Sequence, residues 1–557
     1  MRLATFAAGV AALAAASASA ADPSPLARAA PAVPRNHKLA SRQRQQRSND
    51  FDVAERSDAF DAAVHPLARR DASPLVVTIN NFQNYTPDQN AVGIAMQAMS
   101  DPVGAARAAD AMPFISNNNT AGYIGTGIIS SDSDEGNNYI WTQQYPFVAN
   151  ADAQGSPDTG WNALPDLQGF TLNRTIEIRN GAIQPVYMTA NYDAQAIKRG
   201  IVVFPGKPRD SWKYTNLVRN ALTVQNGLFP EWGVTPESVL IMGPAWLNQE
   251  DQTAGAVQPN ELVFHGTQWQ SGGHSSFPNL TSSITTYEAV DKFVDILFDK
   301  NQFPNLNQVV VVGHSMGGQM VQRYALLKKT KKYDQNMQFW AGNPGSYAWL
   351  TDDRPYQNAS CVDPLEWHYG IGGNQTKITK YARDDVITNR QAVVDRFLAR
   401  KMHYALGLLD NGAGDTHCEA GVQGGNHLDR GSQFAIQLSG IPSANGWPKN
   451  HTLDYVVGVS HQDYAMMSSN ASLQRIFYDN FNDRFPNLKN TTNPGDQLTP
   501  KPKAFATPLH TIVAAALLGG SVGGVILAFA MLPFLFGANT SWQEQERWRQ
   551  EEAKQPM

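Results

Sequence analysis

Apolar residues fall into short uninterrupted runs along the middle of this chain, and the clearest run leads directly into a glycine-rich bend. Four valines at 309–312 are β-branched and adjoin no charged residue, a composition typical of a strand buried on both faces. The pattern G-x-S-x-G follows at 313–317, and residues 319–329 have the composition of a helix. The sequence therefore predicts a strand, a tight turn and a helix in succession.

Similar apolar runs on both sides of this unit predict a larger sheet. Alternation of strands with helices predicts an α/β fold whose mostly parallel sheet is flanked by helices. We expect this domain to span 166–485, behind an N-terminal extension at 73–165 with strand-like pieces at 75–79 and 139–142. The polar segment 243–280 either shapes a pocket or forms a surface loop. Expected strands lie at 170–178, 184–189, 199–204, 238–242, 402–409 and 453–459, and expected helices near 212–225 and 286–299.

The bend at 313–317 carries the first chemical hypothesis. Glycines allow a sharp strand-to-helix turn that lifts a serine hydroxyl above the sheet edge, which is the context of a catalytic nucleophile. The alternative is a glycine-rich turn whose serine only caps the helix. That alternative does not account for the four-valine strand or for the second glycine, Gly318, so we predict that Ser315 is a nucleophile.

A nucleophilic serine needs a base and an acid, and in this kind of sheet they follow in the order acid, then histidine. Asp410 follows the expected strand at 402–409, and Asp415 is the alternative acid five residues later. His461 is the predicted base because it directly follows an expected strand. The histidines at 417, 427 and 451 are the less favoured candidates.

The turn after the expected strand at 199–204 is the candidate oxyanion loop. A backbone N–H from Lys207 or Gly206, together with that of Met316, would bind a developing oxyanion. An ordinary turn rich in glycine and proline is the alternative.

Several short motifs resemble those of a family of secreted α/β-hydrolases found in fungi and bacteria. The resemblance covers about 168–482 and implies an α/β-hydrolase fold with Ser315 as nucleophile, Asp410 as acid and His461 as base. One position departs from the family, because relatives usually carry His-Gly where Pro205 and Gly206 stand here. The motifs lie at 303–306, 313–318, 343–347, 353–355, 367–370, 418–420 and 458–463.

Both ends of the chain carry signals that concern location rather than catalysis. Residues 1–20 have the pattern of a secretory signal peptide, and 21–72 that of a disordered arm or of a propeptide removed at a dibasic site. The stretch at 509–536 contains no Asp, Glu, Lys or Arg and predicts a single transmembrane helix. A linker at 486–508 precedes it and a cytosolic tail at 537–557 follows. We therefore expect a type I membrane protein whose α/β domain is extracellular or luminal.

Other features agree with a secretory location. Cys361 and Cys418 are the two cysteines, which predicts a disulfide, with two buried thiols as the alternative. Glycines at 519, 520, 523 and 524 permit a weak homodimer through the membrane helix. Predicted glycosylation sites before that helix are Asn84, Asn118, Asn173, Asn279, Asn358, Asn374, Asn450, Asn470 and Asn490.

Composition and motifs exclude some classes of function. The net charge is −5 with 17% charged residues, so no basic surface indicates nucleic acid. No metal or nucleotide motif occurs, and we expect no cofactor and no metal. The predicted function is hydrolysis of a carboxylic ester of a small-molecule or lipid-like acyl substrate, with amides or peptides second. A non-catalytic glycoprotein that acts in binding or adhesion is the alternative.

Overall fold

The computed structural model describes residues 89–112, 142 and 144–482. The predicted signal peptide, arm, linker, membrane helix with its glycine face, and tail lie outside these residues, as do Asn84, Asn118 and Asn490. Within the described part of the chain, no helix combines the length and the apolar character that a bilayer span requires. The six sequon asparagines in this part are exposed or half-exposed.

An eight-stranded sheet forms the centre of the domain. Its order is β15, β14, β13, β12, β7, β8, β6, β3, and all neighbouring pairs are parallel except those that involve β6. The strands of this sheet are β3 (Phe170–Asn173), β6 (Val186–Thr189), β7 (Arg199–Phe204), β8 (Val239–Pro244), β12 (Gln308–His314), β13 (Met337–Gly342), β14 (Lys401–Gly407) and β15 (His451–Val456). The remaining strands pair in small sheets and are β1 (Gly155–Ser156), β2 (Gly160–Trp161), β4 (Glu177–Arg179), β5 (Ala182–Ile183), β9 (Leu247–Asn248), β10 (Val263–Phe264) and β11 (Ser275–Phe277).

Helices cover both faces of the sheet, which explains the uninterrupted valines. Val309 and Val311 pack into one apolar cluster while Val310 and Val312 pack into another, as the two-residue period of a strand requires. The helices in chain order are α1 (Gln89–Ala98), α2 (Pro102–Asp110), α3 (Ser211–Leu228), α4 (Gln249–Ala254), α5 (Thr286–Leu297), α6 (Met316–Leu327), α7 (Arg383–Leu398), α8 (Cys418–Gly421), α9 (His427–Gly440), α10 (Asp463–Ser468) and α11 (Asn470–Leu473).

The predicted α/β architecture is therefore present, with three local differences. The strand expected at 170–178 is split, because Asn173 Oδ1 accepts the backbone N–H of Thr175 at 2.8 Å and turns the chain out of the main sheet. The strand expected at 453–459 ends at Val456, before Gly458 with φ 75°. The segment 243–280 is not a surface loop throughout, since Trp246 and Trp269 are fully buried and their rings stack 6.3 Å apart.

Two helices that were not predicted occupy the N-terminal extension. α2 packs along α9, and α1 contacts α2 and β15 at the edge of the main sheet. Their contact residues are small, as buried Ala95, Ala105 and Ala109 illustrate, so the backbones approach closely. The strand-like pieces at 75–79 and 139–141 lie outside the described residues.

The predicted disulfide joins Cys361 to Cys418 with a Cα–Cα distance of 5.5 Å and a separation of 57 residues. It ties the segment before α7 to α8. α8 belongs to the long connection between Asp410 and α9, so the bridge restrains the loop that follows the predicted acid.

Candidate active site

Ser315 lies on the turn between β12 and α6 in a backbone conformation that few L-residues adopt. Its φ is 56° and its ψ −122°. Its N–H donates to Gly342 O at 2.9 Å, and its carbonyl accepts from Gln319 N–H at 3.1 Å. A non-glycine residue at positive φ persists only where its surroundings hold it, and such residues cluster at functional sites. This is the strained strand-to-helix bend that the G-x-S-x-G pattern predicts.

Glycines around the serine are required by close backbone contacts. A Cβ on Gly313 would lie 2.3 Å from Gly317 O, and one on Gly318 would lie 2.6 Å from Gly342 O. Neither oxygen belongs to a flexible side chain, so the first turn of α6 approaches the ends of β12 and β13 more closely than any larger residue would allow. The doubled glycine thus has a packing cause.

Asp410 and His461 meet past the ends of β14 and β15. Nδ1 of His461 lies 2.7 Å from Oδ2 of Asp410, whose side chain is buried. A carboxylate only accepts, so Nδ1 carries the proton and Nε2 of a neutral His461 keeps its lone pair. The His461 ring centroid is 4.7 Å from that of His314, which directly precedes Ser315. The imidazole is therefore beside the bend that carries the serine.

Charge on Asp410 is strongly stabilised. Burial acts to raise the pKa of its carboxyl, but the neighbouring imidazoles of His427 and His461 hold that pKa far below its usual range. His314 is the opposite case, because burial lowers the pKa of its imidazole to about 3. The site consequently contains an ionised aspartate and, next to the serine, a neutral histidine.

The alternative acid, Asp415, belongs to a different set of contacts. Its Oδ1 lies 2.6 Å from Nδ1 of exposed His417, and its Oδ2 accepts from the hydroxyls of Tyr369 at 2.9 Å and Ser346 at 3.1 Å. These bonds account for both carboxylate oxygens. Asp415 and His417 thus form a separate pair, and neither contacts His461 in the described bonds. His451 is also remote from the pair, buried against Phe397 and Tyr404.

His427 is a residue that the sequence analysis considered only as a less favoured base and did not place beside Asp410. Its Nδ1 lies 3.2 Å from Oδ1 of Asp410, and its ring centroid is 4.2 Å from that of His461. No strand precedes it, since it is the first residue of α9, capped by the Asn426 side chain. A search restricted to residues that follow strands could not have found it.

Two contacts fix the loop that carries His461. Asn343 Nδ2 donates to Ser460 O at 2.9 Å, while Asn343 Oδ1 accepts from Gly407 N–H at 2.8 Å. On the other side, Lys213 of α3 pairs with buried Asp463 at 3.2 Å. The side chain of His461 is thereby held between the ends of β13 and β14 and the first turn of α3.

The candidate oxyanion loop packs directly on the bend. A Cβ on Gly317 would lie 2.6 Å from the carbonyl oxygens of both Phe204 and Pro205, and a Cβ on Gly206 would lie 2.3 Å from the Tyr214 hydroxyl. The backbone of the loop that contains Gly206 and Lys207 is therefore adjacent to the first turn of α6, which begins at Met316.

A buried ion pair holds the far end of this loop. Arg209, with φ 63°, donates from Nε and Nη2 to the carboxylate of Asp251 at 3.1 and 3.0 Å. Asp251 also accepts from the N–H of Trp161 at 2.9 Å, and Trp161 Nε1 donates to Pro208 O at 2.9 Å. Bidentate bonds of this kind fix orientation as well as distance. The small β1–β2 hairpin and α4 thus position the oxyanion loop.

Replacement of Gly317 by alanine is expected to lower kcat by about 100-fold and to destabilise the protein by about 1–3 kcal/mol. The new methyl would press on two backbone oxygens and separate Met316 from the loop. Initial rates and thermal unfolding measure both effects. Gly440→Ala is the matched control, because a Cβ there meets nothing within 4 Å. Equal activity of the two variants would contradict the proposed packing.

Asp410, His427 and His461 also form a group of metal-ligating side chains, with donor atoms within 4.8 Å of one another. A metal ion bound by both imidazoles would have to lie in both ring planes. Here the ring centroids are 4.2 Å apart and the ring planes are tilted by 34°, so the two rings lie partly over one another. The arrangement suits contacts to a shared carboxylate better than shared ligation. A second group, Cys361, Cys418 and Glu419, has its thiols in the disulfide.

No protein-family model matches the chain, and no curated protein matches it. The structure is similar to poly(aspartic acid) hydrolase-1 from Sphingomonas sp. KT-1, with 16% identity, a TM-score of 0.38, and coverage of 55% of this chain and 99% of the other. It is similar to a poly(3-hydroxybutyrate) depolymerase from Bordetella parapertussis, with 18% identity, a TM-score of 0.36, and coverage of 57% and 92%. A siderophore hydrolase from Aspergillus nidulans has 8% identity, a TM-score of 0.31, and coverage of 55% and 93%. Likeness this low carries no information about activity or substrate.

Proposed function

We propose that this protein is a serine hydrolase that cleaves carboxylic esters through an acyl-enzyme intermediate. The observation that carries the proposal is the 2.7 Å bond between His461 Nδ1 and buried Asp410, with the imidazole beside the strained bend of Ser315. Serine, aspartate and histidine in this chain order, past the ends of successive strands, are the arrangement of α/β-hydrolases.

Each step uses a group already described. Nε2 of His461 takes the hydroxyl proton of Ser315 while the Ser315 oxygen forms a bond to the carbonyl carbon of the ester. Asp410 holds the Nδ1–H tautomer and stabilises the imidazolium. The same proton then passes to the leaving alkoxide as the carbon–oxygen bond of the ester breaks. Water then attacks the carbonyl carbon of the acyl-enzyme as His461 takes its proton. The bond between that carbon and the Ser315 oxygen breaks, His461 returns the proton to the Ser315 oxygen, and the carboxylic acid leaves.

The oxyanion would be bound by backbone N–H groups. Met316 supplies one donor from the first turn of α6, and Lys207 or Gly206 supplies the other. Support for the second donor is the contact of Gly317 with the backbone at Phe204 and Pro205. Each such donor contributes about 3 kcal/mol to transition-state stabilisation. Relatives usually carry histidine where Pro205 stands here. The backbone N–H groups of Gly206 and Lys207 remain the proposed donors.

The acyl substrate and the location are proposed from the sequence. A carboxylic ester of a small or lipid-like acid comes first, and an amide or peptide second. The signal peptide at 1–20 and the apolar stretch at 509–536 support anchoring in a secretory membrane with the domain on the luminal or extracellular side.

A fluorophosphonate probe together with a panel of short- and medium-chain p-nitrophenyl esters tests the proposal. We expect one equivalent of phosphonate on Ser315, measured by peptide mass mapping, and ester turnover lost in proportion to labelling. Because the probe reacts only with an activated serine, labelling elsewhere would contradict the assigned nucleophile. Absence of both labelling and turnover in folded protein would favour the binding or adhesion alternative.

A further inference from the structure

Asp410 is contacted by two imidazoles rather than one. His461 occupies Oδ2 at 2.7 Å, and His427 approaches Oδ1 at 3.2 Å. Nδ1 of His427 also lies 2.9 Å from the carbonyl oxygen of Gly412. The hydrogen bond goes to Gly412, and Oδ1 of Asp410 lies 3.2 Å from the same nitrogen in an electrostatic contact rather than a second hydrogen bond.

The chemistry of these neighbours fixes the tautomer of His427. A carbonyl oxygen and a carboxylate both accept and neither donates, so Nδ1 must carry the proton. Its side chain is only 6% exposed, and burial lowers the pKa of the imidazole although Asp410 acts to raise it. His427 is thus a neutral imidazole whose protonated nitrogen faces one oxygen of the Asp410 carboxylate, while the other oxygen of that carboxylate accepts from His461.

We propose that His427 is a positioning residue that orients Asp410 and weakens the basicity of His461. The inference rests on the proposed serine hydrolase function and adds a fourth side chain to it. The N–H dipole of His427, 3.2 Å from Oδ1, stabilises the negative charge of Asp410. The carboxylate then stabilises the imidazolium of His461 less, and His461 stays deprotonated to lower pH. The ring of His427, with its centroid 4.2 Å from that of His461, also limits rotation of the His461 imidazole.

The chain between Asp410 and His427 keeps these two residues close together. Leu428 N–H donates to Asp410 O at 3.1 Å, and His427 N–H donates to Gly412 O at 3.1 Å. A Cβ on Gly414, whose φ is +56°, would lie 2.3 Å from Nε2 of His427. The chain from Asp410 to His427 therefore closes on itself around this imidazole.

Other charged and titratable groups surround the pair without replacing this contact. These groups are present in every variant below, so a difference between the profiles begins with the change at position 427. They are His314 before the serine, Arg430 on α9, and Asp463 with its partner Lys213.

Three substitutions separate donation from packing. His427→Asn keeps a neutral N–H near the position of Nδ1, His427→Phe keeps a stacking ring without a donor, and His427→Gln moves the amide one bond further out. The measurement is kcat/KM against pH on a p-nitrophenyl ester, with Ser315→Ala assayed in parallel and thermal unfolding recorded for each protein. His403→Asn replaces a buried histidine near the start of β14, at the opposite end of the strand from Asp410, and controls for loss of an imidazole as such.

For His427→Phe we expect the acid limb of the profile to move up by about one pH unit and the plateau to fall by about tenfold. His427→Asn should keep the limb within a few tenths of a unit and the plateau within about threefold. If the Phe variant does not fold, Gln serves in its place with the same expected direction.

An unmoved acid limb in the donor-lacking variant, or an Asn variant as impaired as Phe, would overturn the inference. Failure of the proposed function itself gives a different result, because the wild type would then show no turnover that depends on Ser315. A limb that moves equally in His403→Asn would also overturn the inference, because the shift would not be specific to the imidazole that contacts Asp410.

Discussion

Substitution of Ser315 by alanine should lower kcat/KM for ester hydrolysis by at least about 10⁴-fold. Without the hydroxyl, Nε2 of His461 has no proton to take and no covalent intermediate forms. Only binding and the oxyanion donors at Met316 and Lys207 remain to accelerate direct attack by water. The loss is chemical rather than structural, because the main-chain bonds of residue 315 to Gly342 and Gln319 do not involve the side chain.

Initial rates on p-nitrophenyl esters and covalent labelling measure this loss, and thermal unfolding verifies the fold. Alanine at φ 56° is about as strained as serine, so the midpoint of unfolding should change little. Ser439→Ala is a suitable control, since Ser439 Oγ donates to Ile436 O near the end of α9. A Ser315→Ala protein with more than a few per cent of wild-type turnover would remove Ser315 from the mechanism.

The elements of the fold that could be predicted are those whose sequence pattern matches their burial in the folded protein. β12 is buried on both faces, so its four valines form an unbroken apolar run, and the glycines after it are demanded by contacts under 3 Å. Most buried residues of α1 and α2 are alanines, whose side chains are only weakly apolar. The sequence therefore shows no clear helical period there. Trp246 and Trp269 are buried inside a segment whose Gly, Ser and Gln content is typical of a surface loop.

The site was predictable as far as each residue follows a strand. Ser315, Asp410 and His461 could be chosen as candidates because parallel strands deliver their following residues to one edge of the sheet. His427 reaches that edge differently, through a connection that turns back on Asp410 and enters α9. Nothing in the residues around 427 distinguishes it from His417, which is 73% exposed and pairs with Asp415. Only the chain segment from Asp410 to His427, which turns back on Asp410, distinguishes His427 from His417.

Replacement of Asp410 by asparagine should lower kcat by about 10⁴-fold with little change in KM. The amide has one acceptor and one donor end, and His427 decides which end faces His461. Nδ1 of His427 carries a proton because it donates to Gly412 O, and it lies 3.2 Å from the Oδ1 position of residue 410. The amide oxygen is therefore favoured on the side of His427, and the amide N–H₂ faces Nδ1 of His461. His461 must then accept at Nδ1 and carry its proton on Nε2, where it can no longer take the proton of Ser315.

The kcat of Asp410→Asn should be compared with that of Asp415→Asn, which replaces the other candidate acid and should retain activity within a few-fold. The two variants are best compared near neutral pH, where protonation of Asp410 does not contribute. Asp410 has a folded pKa below its unfolded value of about 3.9, so it contributes stability above that value and loses this contribution only as the pH falls through the folded pKa. Loss of wild-type activity near neutral pH therefore does not come from protonation of Asp410. If Asp415→Asn were the severe variant and Asp410→Asn the mild one, the exposed His417 pair would have to supply the base and the assigned triad would be wrong.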